Sequence, residues 1–201
     1  MVSALPLVLG VTGASGAPYG VRLVAALVRA GVPLQLIISR HGWRLLEMEA
    51  GVGDLAALRE QIGGDWSKVE IFENDDRGAT PASGSARTRG MVVCPCSMGT
   101  LAAIAQGHSR SLIERAADVT LKERRRLVLV PRETPLSLVH LRNMLAVTRA
   151  GAVVMPAAPG FYHRPPSVDA LVDFIVARIL DHLGVEHTLT TRWRSGGSDA
   201  G

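Results

Sequence analysis

The stretch that decides the fold is LPLVLGVTGASGAPYG, residues 5–20. Its first seven residues, Leu5 to Val11, form a short apolar run rich in Leu and Val, the composition of a parallel strand covered on both faces. Gly13, Ala14, Ser15 and Gly16 keep the following turn small, so the backbone can approach whatever sits there. Pro18 suits the first turn of a helix, where its missing N–H costs nothing. Val21, Leu23, Val24, Leu27 and Val28 then recur at helical spacing up to Gly31. A strand feeding a helix N-terminus through small residues makes an anion site, because unpaired N–H groups and the helix dipole both point at the ligand. The glycine spacing is Gly10-x-x-Gly13-x-x-Gly16, not the dinucleotide pattern G-x-G-x-x-G. A second apolar run, residues 34–38, ends on Ser39 and Arg40, with no acidic residue to hold a ribose 2′-hydroxyl. A mononucleotide such as FMN fits this better than NAD. Arg40 leaves NADP open, and tight packing alone would also account for so small a turn.

The 201 residues suffice for one α/β domain with a full core. Hydrophobic residues make up 47% of the chain, yet no apolar run reaches the ~18 residues a membrane span needs. The N-terminus lacks the basic start and cleavage site of a secretory signal. The expectation is a cytoplasmic protein with no membrane association. Cys94 and Cys96 flank Pro95; on an extended segment they would share a face, but a disulfide ring that tight is strained. Without a nearby His pair they also make a poor zinc site, so small buried thiols are expected. The net charge of +4, from 22 basic and 18 acidic residues, suits anionic small molecules or a nucleic-acid surface. The densest basic run, KERRR at 122–126, reads equally well as a solvated turn. With only 4% aromatic residues and none interleaved there, nucleic-acid binding is disfavoured.

Further strands are predicted over 34–38, 69–72, 91–94, 127–130 and 152–155, and helices over 42–50, 101–106, 112–123, 136–150 and 167–183. Residues 51–65 read as a weakly specified helix and loop. Ser167 would cap the last helix, with Val168, Leu171, Val172, Ile175, Ile179 and Leu180 on its buried face. Residues 74–90 form a long polar loop of the kind that is usually functional or disordered. Its Asp75–Asp76 pair could suit a magnesium-diphosphate site, but no second acidic cluster supports a metal. The turn PCSMGT, 95–100, leaves the carboxyl end of the fourth strand, where it can face the same ligand as the first turn. Ser97 and Thr100 are candidate hydroxyl donors there, with helix capping as the alternative role. Arg115 and Lys122 lie seven residues apart, on one face of a continuous helix. Arg132 and Glu133 leave the carboxyl end of the fifth strand. Strands alternate with helices, with no repeat and no linker. The pattern therefore predicts a single domain, 1–201, with a frayed tail over 194–201 and a doubly wound, mainly parallel sheet of about six strands covered by helices on both faces.

The segments GVTGASGAPYG, PASGS, CPCSMGTL, LIERAADVTLKERR, LVLVPRETPL, HLRNML, GAVVMPAAPGFYHRP and DFIVARILD together resemble the UbiX-type flavin prenyltransferases, over about residues 7–193. The resemblance implies a flavodoxin-like or Rossmann-like α/β fold and a large homo-oligomer, commonly a dodecamer. It implies metal-independent transfer of a dimethylallyl group from dimethylallyl phosphate to N5 and C6 of reduced FMN. The prenylated FMN would serve a UbiD-type decarboxylase. By the same motifs Gly13, Ala14, Ser15, Ser39, Ser97, Met98, Gly99 and Thr100 would bind FMN, and Arg132 would contact the flavin. Lys122, Tyr162 and Arg178 would hold the prenyl phosphate, with Arg115 as a supporting charge and Trp193 closing the prenyl pocket. Ser15, Glu49, Lys122, Glu133 and Tyr162 would form the catalytic set, with Glu49 and Glu133 managing protons. PASGS, 81–85, would reach the flavin of a neighbouring subunit. Arg126 replaces a proline common in the family, Met98 varies within the flavin turn, and Glu47 competes with Glu49 for the carboxylate role. His140 and His163 are expected to be structural or to support site residues rather than to be catalytic. The rivals are an FMN-dependent cysteine decarboxylase of the same fold, a non-catalytic flavin carrier, and a basic nucleic-acid-binding module.

Overall fold

A computed structural model describes residues 5–190. Its strands are β1 (Leu7–Val11), β2 (Leu34–Ile38), β3 (Val69–Glu73), β4 (Gly90–Cys96), β5 (Leu127–Pro131) and β6 (Val153–Val154). They form one six-stranded sheet in the order β3-β2-β1-β4-β5-β6, and each ladder is parallel. The helices are α1 (Ala17–Arg29), α2 (Arg40–Ala50), α3 (Leu55–Ile62), α4 (Met98–Ala105), α5 (Leu112–Lys122), α6 (Leu138–Arg149) and α7 (Val168–Leu183). The strand order is that of the dinucleotide-binding doubly wound sheet, and its winding reverses between β1 and β4.

Two apolar layers sandwich the sheet. Leu7, Leu9, Leu34, Leu36 and Val128 pack against Leu23 and Leu27 of α1 and Val176 and Ile179 of α7. Val8, Ile37, Val93 and Leu129 pack the opposite way, against Leu101 and Ile104 of α4, Leu112 and Ala116 of α5 and Val147 of α6. Every residue of β1, β2 and β5 is buried, which is why β1 and β5 read as unbroken apolar runs and β2 as one interrupted only by Gln35.

Several boundaries differ from the sequence expectation. β4 continues through Pro95 to Cys96, and its ladder with β5 slips between Val93 and Cys96. Side chains alternate along a strand, so that slip reverses the parity. Cys94 faces the α1/α7 layer and Cys96 the α4/α5 layer, not one common face. Both thiols are free, and burial pushes that of Cys96 up to about 12. α4 begins at Met98 instead of 101, because the Ser97 hydroxyl accepts the Thr100 N–H at 3.2 Å and caps it. The weak segment after residue 51 holds α3, capped by Asp54. Val168, expected in the core, is 72% exposed in the first turn of α7, beyond the reach of the sheet. The long loop contains only a 3-10 turn over Thr80–Ala82. Trp193 and the tail lie outside the described residues. Among the described residues no helix is long and apolar enough to cross a membrane.

α2 crosses the end of β1 so closely that a Cβ on Gly42 would sit 2.6 Å from the Val11 carbonyl oxygen. The obstacle is backbone, which cannot step aside as a side chain can. Gly42→Ala is expected to cost about 1–3 kcal/mol, as overpacking does. A lowered midpoint in denaturant titration checks this, and an unchanged midpoint would contradict the contact.

Candidate functional site at the switch point of the sheet

The carboxyl ends of β1, β2 and β4 meet on one rim, and the helices that follow them start there. Thr12 ties two of these ends together. It is 3% exposed; its hydroxyl donates to the Pro95 carbonyl at 2.9 Å and accepts the Ser97 N–H at 2.8 Å. The Thr12 N–H also reaches the Pro95 carbonyl, at 3.2 Å. The one signal for Thr12 in the sequence is a lone hydroxyl ending a buried apolar strand. On the other side of β1, the Ser39 N–H donates to the Val11 carbonyl at 3.0 Å, and the Ser39 hydroxyl caps α2 through the Gly42 N–H at 3.0 Å.

The helix ends are used differently. At α1 the Gly16 and Ala17 N–H groups both donate to Glu49 Oε2, each at 2.8 Å. The anion at the expected phosphate turn is therefore the chain's own carboxylate, delivered by α2. At α4, Ser97 takes the Thr100 N–H, while among the described residues no hydrogen bond uses the N–H groups of Met98 and Gly99. The Ser97 and Thr100 hydroxyls lie 3.0 Å apart beside them. α4 thus keeps N–H groups open to an external anion, as does α2, where Ser39 takes only the Gly42 N–H.

Ser15, Glu49 and Arg132 are brought together. Arg132 Nε donates to the Ser15 carbonyl at 3.2 Å across the mouth from the end of β5. Burial works to raise the Glu49 carboxyl, but hydrogen bonds from the Gly16 N–H, the Ser15 side chain and the Ala17 N–H outweigh it, aided by the Arg132 charge, and hold it below the ordinary range. Glu47 sits elsewhere, beside Gly53. Glu133 is exposed next to Arg132, and its Oε1 accepts the Thr134 N–H at 3.2 Å. The small turn also has a packing reason, since a Cβ on Gly13 would lie 2.4 Å from the His41 Cβ.

Lys122, expected at the phosphate, is not at this rim. α5 runs down to the start of β5, so its last residue, Lys122, lies at the opposite edge of the sheet, about 15 Å of strand away. There Lys122 pairs with Glu123, and a Cβ on Gly84 would fall 2.7 Å from Lys122 Nζ. Arg115 shares that face: it donates to the Ala82 carbonyl at 3.2 Å and pairs with Asp118 at 2.7 Å. The PASGS loop, Arg115 and Lys122 therefore form one group. Arg125 binds the Gly84 and Ala86 carbonyls at 2.7 and 2.8 Å, and Arg126 binds the His182 carbonyl. Much of the basic run is thus committed to the chain's own backbone.

Tyr162 and Arg178 form a third group along α7. The Tyr162 ring meets His163 and Phe174 edge-on, with centroids 5.3 and 6.0 Å away, and His163 stacks on Phe174 at 5.4 Å. Phe174 and Arg178, one turn apart, line a cavity of about 240 Å³ with Val153, Met155 and Pro156. His140 completes a capping box with Ser137 at the start of α6.

A parallel sheet wound in this order, with helix N-termini gathered at its switch point, defines a nucleotide-binding α/β protein of the doubly wound class. The profile of the family Flavoprotein matches residues 1–180. The flavin prenyltransferase UbiX of Halalkalibacterium halodurans is 49% identical over 189 residues, which cover 92% of this chain and 91% of that one. A crystal structure of AnUbiX (PadA1) in complex with FMN and dimethylallyl pyrophosphate aligns with a TM-score of 0.88 at 42% identity, over 96% of this chain and 100% of that one. A dodecameric FMN-dependent UbiX-like decarboxylase from Escherichia coli O157:H7 aligns with a TM-score of 0.86 at 44% identity, over 95% and 100% of the two chains. The chain belongs to the flavoprotein family, among its UbiX-type flavin prenyltransferases.

A carboxylate whose pKa is lowered on folding stabilises the fold above its unfolded pKa and loses that effect as pH falls through the folded value. Glu49→Gln is accordingly expected to destabilise the protein at pH 7 by about 0.3–1 kcal/mol, the range for an exposed charge at a helix terminus. The gap between wild type and variant should close as the solution is acidified past the folded pKa of Glu49. Paired thermal melts across pH 2–7 measure it, and a gap independent of pH would contradict the ionised contact.

Proposed function

We propose that this chain joins a dimethylallyl group from dimethylallyl phosphate to N5 and C6 of reduced FMN, and that its product serves a UbiD-type decarboxylase. The observation that carries this reading is the convergence of three helix N-termini on the β1/β4 crevice, in a chain 42% identical to one crystallised with FMN and dimethylallyl pyrophosphate. The crevice suits FMN. Gly13, Ala14 and Ser15 offer a side-chain-poor wall, Ser39, Ser97 and Thr100 offer hydroxyls, and Met98 and Gly99 offer open N–H groups. Arg132, already across the mouth, would contact the flavin. Reduced FMN, when bound, supplies the electron-rich positions that take the allyl carbon.

The chain's own residues would manage charge. As the allylic C–O bond breaks, its electron pair stays with the departing phosphate. Lys122, Arg178 and the Tyr162 hydroxyl would take up that charge by charge-assisted hydrogen bonds, with Arg115 in support. Glu49, held ionised, suits the orientation of Ser15 better than proton donation. Glu133, exposed at the same rim, is the better-placed carboxyl to accept a proton and return it. Trp193 would close the prenyl pocket.

Because Lys122 and the PASGS loop lie apart from the flavin crevice on one subunit, the complete site would form between subunits, with PASGS and Lys122 of one chain reaching the crevice of the next. Leu138, Leu141 and Leu145 leave one face of α6 apolar, 60%, 49% and 50% exposed, and Val139 beside them is 62% exposed. An apolar face of this kind calls for cover, which supports a homo-oligomer, with the dodecamer of the E. coli relative as its size.

The test mixes protein, reduced FMN and dimethylallyl phosphate without oxygen and weighs the extracted flavin. A gain of one C5 unit is expected, slowed about 10²–10³-fold in Lys122→Ala or Tyr162→Phe if each group stabilises the transition state like an oxyanion-hole donor. An unchanged flavin mass would reject the reading.

A further inference from the structure

Arg178 does not stand alone on α7. Its Nη1 donates to Asp181 Oδ2 at 3.0 Å, one turn further along the helix. The other carboxylate oxygen, Oδ1, lies 3.3 Å from His187 Nε2. The His187 side chain is only 6% exposed. The Leu189 N–H donates to His187 Nδ1 at 3.3 Å, so Nδ1 is an acceptor and the neutral ring carries its proton on Nε2, facing Asp181. A continuous path thus runs from the backbone after α7, through an oriented imidazole and a carboxylate, to a guanidinium.

The local sequence explains why His187 can reach back. Gly184 takes the left-handed conformation, φ 63°, and ends α7; the Gly184 and Val185 N–H groups return to the Asp181 and Leu180 carbonyls at 3.1 and 3.0 Å. Val185 is buried in the α1/α7 layer and Leu189 packs against it, which fixes both ends of the segment that holds His187. Arg126 and Arg89 bind the His182 and Gly184 carbonyls, so the last turn of α7, where Asp181 sits, is braced from the sheet side as well. An exposed i,i+3 ion pair alone leaves its arginine loosely held. Here the carboxylate is gripped from behind, and the guanidinium, half exposed toward the cavity beside Phe174, keeps its remaining donors for an anion.

We propose that Asp181 and His187 are positioning residues for phosphate capture: Asp181 fixes the Arg178 fork, His187 fixes Asp181, and the segment after α7 thereby sets affinity for the allylic phosphate. This rests on the reading of Arg178 as a phosphate ligand. The relay orders the guanidinium before the substrate arrives, so that less rotamer freedom is lost on binding.

The experiment is steady-state kinetics on the intact protein with reduced FMN and dimethylallyl phosphate. His187→Ala is expected to raise KM for dimethylallyl phosphate about 10-fold, by analogy with outer partners of metal ligands, with kcat and KM for FMN little changed. His187→Gln, whose amide N–H can replace the Nε2 proton, should recover most of that loss, which a merely destabilised fold would not. In an Arg178→Ala background His187→Ala should add nothing, since its effect passes through Arg178. If Arg178→Ala raises this KM while His187→Ala leaves it unchanged, or His187→Gln behaves no better than His187→Ala, the relay is overturned and the assignment of Arg178 stands. If Arg178→Ala itself leaves KM unchanged, the phosphate assignment falls first and the relay with it.

Discussion

The hydroxyl of Thr12 holds the two halves of the sheet in the relation on which the rest depends. β1 and β4 are neighbours at the point where the winding reverses, so their following helices leave for opposite layers and open a crevice between them. A crevice is useful only if its walls are fixed, and β4 slips out of register just before its end. From the β1 side, Thr12 fixes the end of β4 by donating to Pro95 and accepting from Ser97 in a site almost closed to water. A buried hydroxyl satisfied on both sides is costly to disturb, about 1–3 kcal/mol for each partner left unpaired. With Ser97 fixed, its side chain caps α4, and the open N–H groups of Met98 and Gly99 take their places on the crevice wall.

Charge is then divided between two helix N-termini that would otherwise compete for one anion. α1 is satisfied internally by Glu49, whose carboxylate also draws in Ser15 and Arg132. α4 is left for a ligand. The arrangement separates a fixed negative charge from the open anion site. It also places that charge where it can orient a serine.

Where the chain repeats a period, its sequence declares its structure: the buried strands, the amphipathic helices and the cap at Ser167 follow from local patterns, while the caps at Ser39 and Ser97 start their helices earlier than the apolar spacing shows. The parity of Cys94 and Cys96 does not, because it depends on a register slip against β5, which lies thirty residues away in the chain and beside β4 only in the sheet. The role of Thr12 was hidden for the same reason. Motifs identified the candidate site residues, yet no motif said that they fall into three groups; that came from which end of the sheet each helix reaches. That Glu49, and not Glu47, reaches the start of α1 likewise follows from a helix crossing rather than from composition.

That three-part division bears on the chemistry itself. Lys122 and Arg178 are about half exposed, with side-chain accessibilities of 48% and 54%. In water, two unit charges 4 Å apart attract by only about 1 kcal/mol, but near a protein surface where the effective dielectric falls to about 20 they attract by about 4. Cations so exposed would stabilise a departing phosphate weakly on an isolated subunit. Cover from a neighbour would remove that water and bring the flavin crevice of one chain against the cations of another. On the proposed reading, assembly is therefore part of the catalytic apparatus: the same contact that hides the apolar face of α6 would raise the strength of every charge–phosphate pair in the site.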